Sequence, residues 1–384
     1  MIDFDDSVRS SGREFVGKVI APVAARADEE ERFPAEVFRE MGRFGLFGIP
    51  YPARYGGSGL DYAAYTGLIR EVAKVCASTA MTAVAHATLT CNPIFAAGSE
   101  HLKERYLAPL LKGEAIGAFA MTEAGAGSDI SSIQTTAVER DDSYVLNGAK
   151  LFITNANVAD LAVIVAKTSP RAGLLGLSLF VVEKGTPGFR ATGARERKLG
   201  MRASDTGELV LCDVHVPREN LIGRKNRGFE VLQQTLTAAR LDMAAIALGI
   251  SEGARDLCVE YTLQRKQFGK PLFRFQLVQS MLANMEVRID AADLLLRRGT
   301  WLRDRGRSFV KEASEAKLFA SETAVEVTRD AIQIHGAYGY SRDLPLERFF
   351  RDAKLTEIGD GTSEIQRLII ADEMIKARTL EAAN

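Results

Sequence analysis

Cysteine is scarce in this 384-residue chain: four residues, at 76, 91, 212 and 258, with no CxxC pair among them. Such spacing excludes the usual structural zinc patterns and argues against a disulfide framework. No run of 18 apolar residues occurs, so no membrane-spanning helix is expected. The first residues, MIDFDDSVRS, lack the charged-then-apolar order of a secretory leader, and a cytoplasmic setting is the expectation. An excess of one charge is missing too: 49 Lys and Arg stand against 50 Asp and Glu, a net of −1. That balance argues against a nucleic-acid binder, which would show a basic excess or stripe. No repeat at a fixed period and no low-complexity segment is present.

What is present is ordinary for a folded chain, 46% hydrophobic and 26% charged, which excludes disorder for most of it. At roughly 150 residues per domain the length suggests two or three domains, ample for a sizeable core. Nine of the eleven prolines fall in residues 1–217, and only Pro271 and Pro345 follow. Together with the periodicity this divides the chain into a helical part (1–117), a β module (118–225) and a second helical part (226–384).

In the first part, FPAEVFREMGRFGLFGIP reads as a helix entered at Pro34 and stopped by Gly45 and Gly48. A further apolar-periodic stretch runs from Tyr62 to Met81, and EHLKERYLAPLLKG reads as a short amphipathic helix closed by Gly113. In the middle, SIQTTAVERDDSYVLNGAKLFITN predicts a strand, a turn, a second strand, an Asn147-Gly148 turn and a third strand. LAVIVAKT, LSLFVVEK and GELVLCDVHVP continue as short β-branched runs, which together read as an antiparallel module. The last part holds three long helical stretches, Phe229–Gln267, Phe275–Arg305 and Val310–His335, and a shorter one from Ser363, the pattern of a helical bundle. The fold class is therefore α+β, mostly α.

Five segments could carry chemistry, and each has a plain reading. FAMTEAGAGSD (119–129) joins the first part to the β module. Its Gly125 and Gly127 would let the backbone turn tightly or approach a ligand, with Thr122 and Ser128 supplying hydroxyls; alone it is a small-residue interdomain loop. It is neither a Rossmann fingerprint nor a P-loop. In LFITNAN, Phe152 and Thr154 are two apart on a strand and could wall a flat ring and bond its edge, or Phe152 could simply pack in a core. RKQFGK (265–270) is a loop between helices, where solvated charge is the plain reading. His335-Gly336 reads as a helix end, with capping favoured over catalysis. In EIGDGTSEIQRL, Asp360 is flanked by glycines before Thr362-Ser363, either as a cap or as a carboxylate facing a substrate.

Taken together and in order, MTEAGAGSD, LFITN, LGMRASDT, RKQFGKPL, QIHGAYGY and RDAKLTEIGDGTSEIQRLI resemble the acyl-CoA dehydrogenase family over essentially the whole chain. The resemblance implies an N-terminal helical domain, a middle antiparallel β-barrel domain and a C-terminal four-helix bundle. It implies FAD, held between the β domain and the bundle, in a homotetramer built as a dimer of dimers. Position by position, Met121, Thr122, Ser128, Phe152 and Thr154 would contact the flavin, and Thr362 and Glu364 would reach the dinucleotide of the same subunit. Arg265, Phe268, Gln276, Gln333 and Gly336 would reach the flavin of a neighbouring subunit. Ser128, Arg240, Gly359 and Gly361 would meet the acyl-CoA substrate, Arg240 at its nucleotide. The implied reaction is α,β-dehydrogenation, with an electron-transfer flavoprotein as the acceptor of electrons.

Two departures from the family stand out. Its base is usually the glutamate of a Tyr-Glu-Gly-Thr segment, and here the segment reads Gly359-Asp360-Gly361-Thr362. A subgroup carries the glutamate just before an arginine on the first bundle helix, a position that is Ala239 here, before Arg240. Asp360 is therefore the one catalytic candidate. One methylene fewer retracts the carboxylate by about 1.5 Å, and misplacement near 1 Å can cost roughly 100-fold in rate. Gly359 in place of tyrosine would leave room for a short, branched or cyclic acyl group, unless another side chain fills it. Three alternatives remain: a nitroalkane-oxidase-like enzyme using the same aspartate, a dehydrogenase of carrier-protein-bound acyl groups, and a flavin-binding protein that has lost activity.

Overall fold

The structure is a computed structural model that describes residues 6–383, and side chains from 10 to 379. The N-terminal region is helical. Ala35–Phe44 begins after Pro34 and ends at Gly45, whose φ of 84° is the left-handed stop that a glycine allows. Val37, Phe38 and Met41 form its buried face. Tyr62–Ala73 starts where Asp61 accepts a bond from the Ala64 N–H at 2.7 Å. The single stretch expected from Tyr62 to Met81 is two helices, because Cys76 is extended and the second, Ala77–Val84, starts afresh. Apolar periodicity carries through the break because both helices bury nearly every residue.

The middle region is one sheet of eight strands: β1 (Gly117–Ala120), β2 (Thr136–Glu139), β3 (Ser143–Thr154), β4 (Leu161–Lys167), β5 (Leu177–Glu183), β6 (Phe189–Ala191), β7 (Thr206–Pro217) and β8 (Leu221–Ile222). The order is β6-β7-β3-β2-β4-β5-β8, with β1 also on β4. Two expectations are corrected. The sheet is mixed, since β1 and β2 both pair with β4 in parallel, and its path is open from β6 to β8 rather than a closed antiparallel barrel. Asn147-Gly148 is no hairpin turn: β3 runs straight through it, and both flanks pair with β7 across a register shift. An Asn-Gly pair turns the chain only when its two flanks pair with each other. Here the Asn147 side chain bonds the Asp213 N–H and carboxylate across the ladder. Along β4, Leu161, Val163 and Val165 face the helices, while Ala162, Ile164 and Ala166 face the sheet's own core, so the strand is apolar throughout.

The C-terminal region holds Gly228–Gln264, Gln276–Asp304, Val310–His335 and Ser363–Ala383, with Val310–His335 packed against the other three. The sequence reading left Leu346–Thr356 inside a motif; it is a further helix, packed on the first and third. The first helix stops at Gln264, short of the expected Gln267, and residues 266–271 form a small hairpin with Phe268 (φ 49°) and Gly269 (φ 78°) at its tip. Gly249 lets that helix lie close to Tyr62–Ala73, since an added Cβ would sit 2.4 Å from the Arg70 carbonyl oxygen. The Arg70 guanidinium then bridges Glu252 and Asp293 of the bundle. Among the described residues no helix is long and apolar enough to cross a membrane.

Candidate active site

A cavity of about 630 Å³ opens where the sheet, the N-terminal helices and the bundle meet. Met121, Thr122, Ser128, Phe152, Thr154, Arg240, Gly359, Asp360, Gly361 and Thr362 all line it. Of the other candidates, Arg265, Phe268, Gln276, Gln333, Gly336 and Glu364 are exposed and do not. His335 is a buried helix terminus, stacked on Tyr261 and bonded to the Ala331 carbonyl, away from the cavity.

On the sheet side, the loop after β1 is fixed by a buried pair. Lys150, fully buried on β3, donates to Glu123 at 2.7 Å and to the Met121 carbonyl at 3.0 Å. Glu123 also accepts from Thr135 and from the Gln134 N–H. Burial pushes the Glu123 carboxyl up, but Lys150 and these bonds outweigh it and leave it below its ordinary value. Burial lowers Lys150 to about 8, against the pull of Glu123. The expected tight turn is closed by Glu123 and Ala126 bonding back to back across Ala124-Gly125; Gly127 lies just past it, and neither glycine needs positive φ. A Cβ at either glycine would meet nothing within 4 Å, so what they keep clear is space beside the loop. Phe152 sits in a bulge of β3 at φ 56° and leaves 59% of its surface uncovered toward the cavity. An aromatic held at positive φ with no protein across from it, beside hydroxyls and an open glycine loop, fits a flat aromatic ligand such as the flavin of FAD.

On the bundle side, the turn 359–362 carries the carboxylate. Asp360 has φ 53° and Gly361 φ 95°, and the Gly361 carbonyl accepts from Lys317 Nζ at 2.7 Å and Gln366 Nε2 at 2.9 Å. Aspartate tolerates the left-handed region better than most residues. Asp360 does not cap the following helix: Thr362 does, accepting from the Ile365 N–H at 3.4 Å. The Asp360 Oδ2 is buried and, among the described residues, has no hydrogen-bond partner, nor does any acceptor there meet its N–H. Burial raises the carboxyl above its ordinary value, opposed by Lys317 and Arg240. Arg240, expected at a nucleotide, is only 8% exposed, with its Nε unpartnered and its charge facing Asp360. The room foreseen at Gly359 is partly taken: an added Cβ would lie 3.1 Å from the Met243 Cε, and Met243 lines the cavity itself.

Four of these residues were missed by sequence reasoning. Lys317 and Lys150 were legible as lysines inside otherwise apolar runs (EAKLFAS and GAKLFIT), whereas nothing local marks Met243 or Glu123.

Three family models match in succession: acyl-CoA dehydrogenase N-terminal domain over residues 4–114, middle domain over 118–214 and C-terminal domain over 226–375. The chain is 45% identical over 369 residues to a short-chain specific acyl-CoA dehydrogenase of Clostridium acetobutylicum, covering 96% of this chain and 97% of that one. It superposes on butyryl-CoA dehydrogenase from Megasphaera elsdenii with a TM-score of 0.95 at 39% identity, covering 97% of this chain and 100% of that one. A chain from a structure described as the electron transferring flavoprotein of Acidaminococcus fermentans matches with a TM-score of 0.95 at 41% identity, over 97% and 99% of the two chains. By sequence and fold alike, the chain belongs to the acyl-CoA dehydrogenase family of FAD-dependent oxidoreductases.

Proposed function

We propose that the protein removes hydrogen from the α and β carbons of a short or branched acyl-CoA thioester, with Asp360 as the base for the α proton. The carrying observation is the buried, unpartnered Oδ2 of Asp360 beside two cations, Arg240 and Lys317, that make no ion pair with it. A carboxylate that packs only for stability is hydrogen-bonded when buried; one left bare in a cavity is free to take a proton. Its unmet N–H is a donor for the thioester oxygen, which gains negative charge as the α proton leaves.

Thr122, Ser128, Thr154 and Thr362 would hold FAD by their hydroxyls and neighbouring N–H groups, Phe152 would wall its ring and Met121 would border it, while Glu364, exposed outside the cavity, would reach the dinucleotide. Bound there, FAD supplies the acceptor for the β hydride. Arg265, Phe268, Gln276, Gln333 and Gly336 would serve a neighbouring subunit's FAD in a homotetramer, a dimer of dimers. Their exposure supports this, above all Phe268, 92% uncovered at a hairpin tip. An electron-transfer flavoprotein is the proposed electron acceptor, in keeping with the likeness to the Acidaminococcus fermentans chain. Met243 beside Gly359 supports a compact acyl group over a long straight one. Ser128, Gly361 and Gly359 would border the substrate, and Arg240 would face its reacting end instead of its nucleotide.

Anaerobic titration with straight, branched and cyclic acyl-CoAs, followed by flavin absorbance, tests the reading. Bleaching by short or branched members is the expected outcome. No bleaching by any acyl-CoA, with peroxide formed from nitroethane in air, would overturn it in favour of a nitroalkane oxidase.

A further inference from the structure

Lys317 is the anomaly of the bundle. It lies in a stripe of buried small residues on Val310–His335, with Ala313, Ala316, Ala320 and Ala324, and is itself 0% exposed. Among the described residues its ammonium makes one hydrogen bond, to the Gly361 carbonyl, and no ion pair within 4 Å. Burying a charge without a direct counter-ion is costly. Stability does not explain it, because Gln366 Nε2 already satisfies the same carbonyl. The neutral donor makes the lysine's bond redundant but not its charge.

Glu196, Arg197, Lys198, Arg351 and Lys354 line the same cavity without acting on Asp360, and the charged groups around the turn itself are few. Arg240 and Asp242 face it from the first bundle helix, Lys317 from the third, and Glu357 and Glu364 flank it on its own side. Asp242 is occupied elsewhere, taking two bonds from the Tyr62 phenol at 2.7 and 2.8 Å. Glu364 is exposed, and Glu357 is paired with Lys354. Among these groups, the unengaged carboxylate that lines the cavity is Asp360, and the cations acting on it are Lys317 and Arg240. A direct salt bridge would stabilise the ionised form but would also occupy the oxygen that must accept a proton.

We infer that Lys317 is a positioning residue for Asp360, holding its turn and supplying, without contact, the positive charge that keeps the bare carboxylate ionised in a desolvated cavity. This rests on the reading of Asp360 as base. The lysine neither gives nor takes a proton in the reaction. Burial lowers Lys317 itself to about 8, opposed by Asp360 and the two glutamates, so the pair supports each other's charged forms.

The test is the rate of anaerobic flavin bleaching against pH, with the best acyl-CoA of the panel, on FAD-loaded protein. Lys317→Gln keeps a donor for the carbonyl and removes the charge. Its acid limb is expected to move up by about one pH unit or more, with most of the rate recovered at high pH. Lys317→Arg should restore the parent limb. Gln366→Leu, which removes the neutral donor to the Gly361 carbonyl and keeps the lysine's bond and charge, should leave the limb where it is. Should Lys317→Gln not fold, Lys317→Met carries the same test. An acid limb unmoved in the charge-removing variant, with Asp360→Asn inactive, overturns the inference and leaves the base reading standing. An Asp360→Asn variant as fast as the parent sinks the base reading, and this inference with it.

Discussion

Two buried lysines, Lys150 and Lys317, do opposite things. Lys150, in the sheet, meets its carboxylate directly and neutralises it; Lys317, in the bundle, holds a carbonyl and leaves its carboxylate bare. Glu123 is accordingly held below the ordinary carboxyl range and Asp360 above it. The difference teaches which carboxylate builds the site and which is left to react. A paired, fully bonded acid fixes a loop, while an unpaired acid in a desolvated cavity can exchange a proton.

The contrast breaks most visibly by amidation of each acid. Asp360→Asn should cut flavin reduction by about 10²–10⁴-fold, the usual share of a positioned base, with FAD content kept. Glu123→Gln should do the reverse, leaving Lys150 buried and unpaired at a cost of about 3–5 kcal/mol. Thermal unfolding and retained FAD read that loss, with the residual holoenzyme reducing its flavin at a near-parent rate. A Glu123→Gln protein as stable as the parent would remove the structural half of the contrast.

At the proposed subunit face, Arg265→Ala should weaken FAD binding by about 10–100-fold, the size of a lost charge-assisted bond, while changing the reduction rate little. Cofactor occupancy after dilution measures it, and unchanged occupancy with a slower rate would reassign the residue.

pH separates the two acids without substitution. As the proposed base, Asp360 would work as the anion, and burial raises its pKa, so activity should climb with pH through a value above the ordinary carboxyl range. Glu123 has a lowered pKa, so the stability it contributes is present above its unfolded value and is lost only as pH falls through the lower folded one. Activity should therefore disappear at a higher pH than the fold does, which paired rate and circular-dichroism profiles would show. Coincident loss of both would count against the assignment.

The smallest effect expected is at Gly359. Gly359→Ala needs only the flexible end of Met243 to move, so stability should change by less than about 1 kcal/mol. The acyl preference should shift toward smaller groups, read by competition between short straight and branched acyl-CoAs.

Much of this was legible in the chain itself. The helix–sheet–helix order followed from periodicity, because buried strands and long helices bury their apolar residues at different spacings. Segments far apart in sequence, such as MTEAGAGSD and EIGDGTSE, could be paired by resemblance, and they do line one cavity. Where local chemistry has one meaning, as at Pro34 and Gly45, the expected limits match. Where it has two, as at Asn147-Gly148, partner strands decided the outcome.

By itself, then, the sequence determined the helix–sheet–helix order, the family and the acid proposed as the base. The tertiary structure alone decided what that acid touches. Whether a carboxylate is neutralised or left bare depends on groups brought from other elements: Lys150 to Glu123 from 27 residues away, and Lys317 to the turn of Asp360 from 44. Burial, charge and hydrogen bonding are properties of those neighbours, and no local pattern of residues encodes who the neighbours will be.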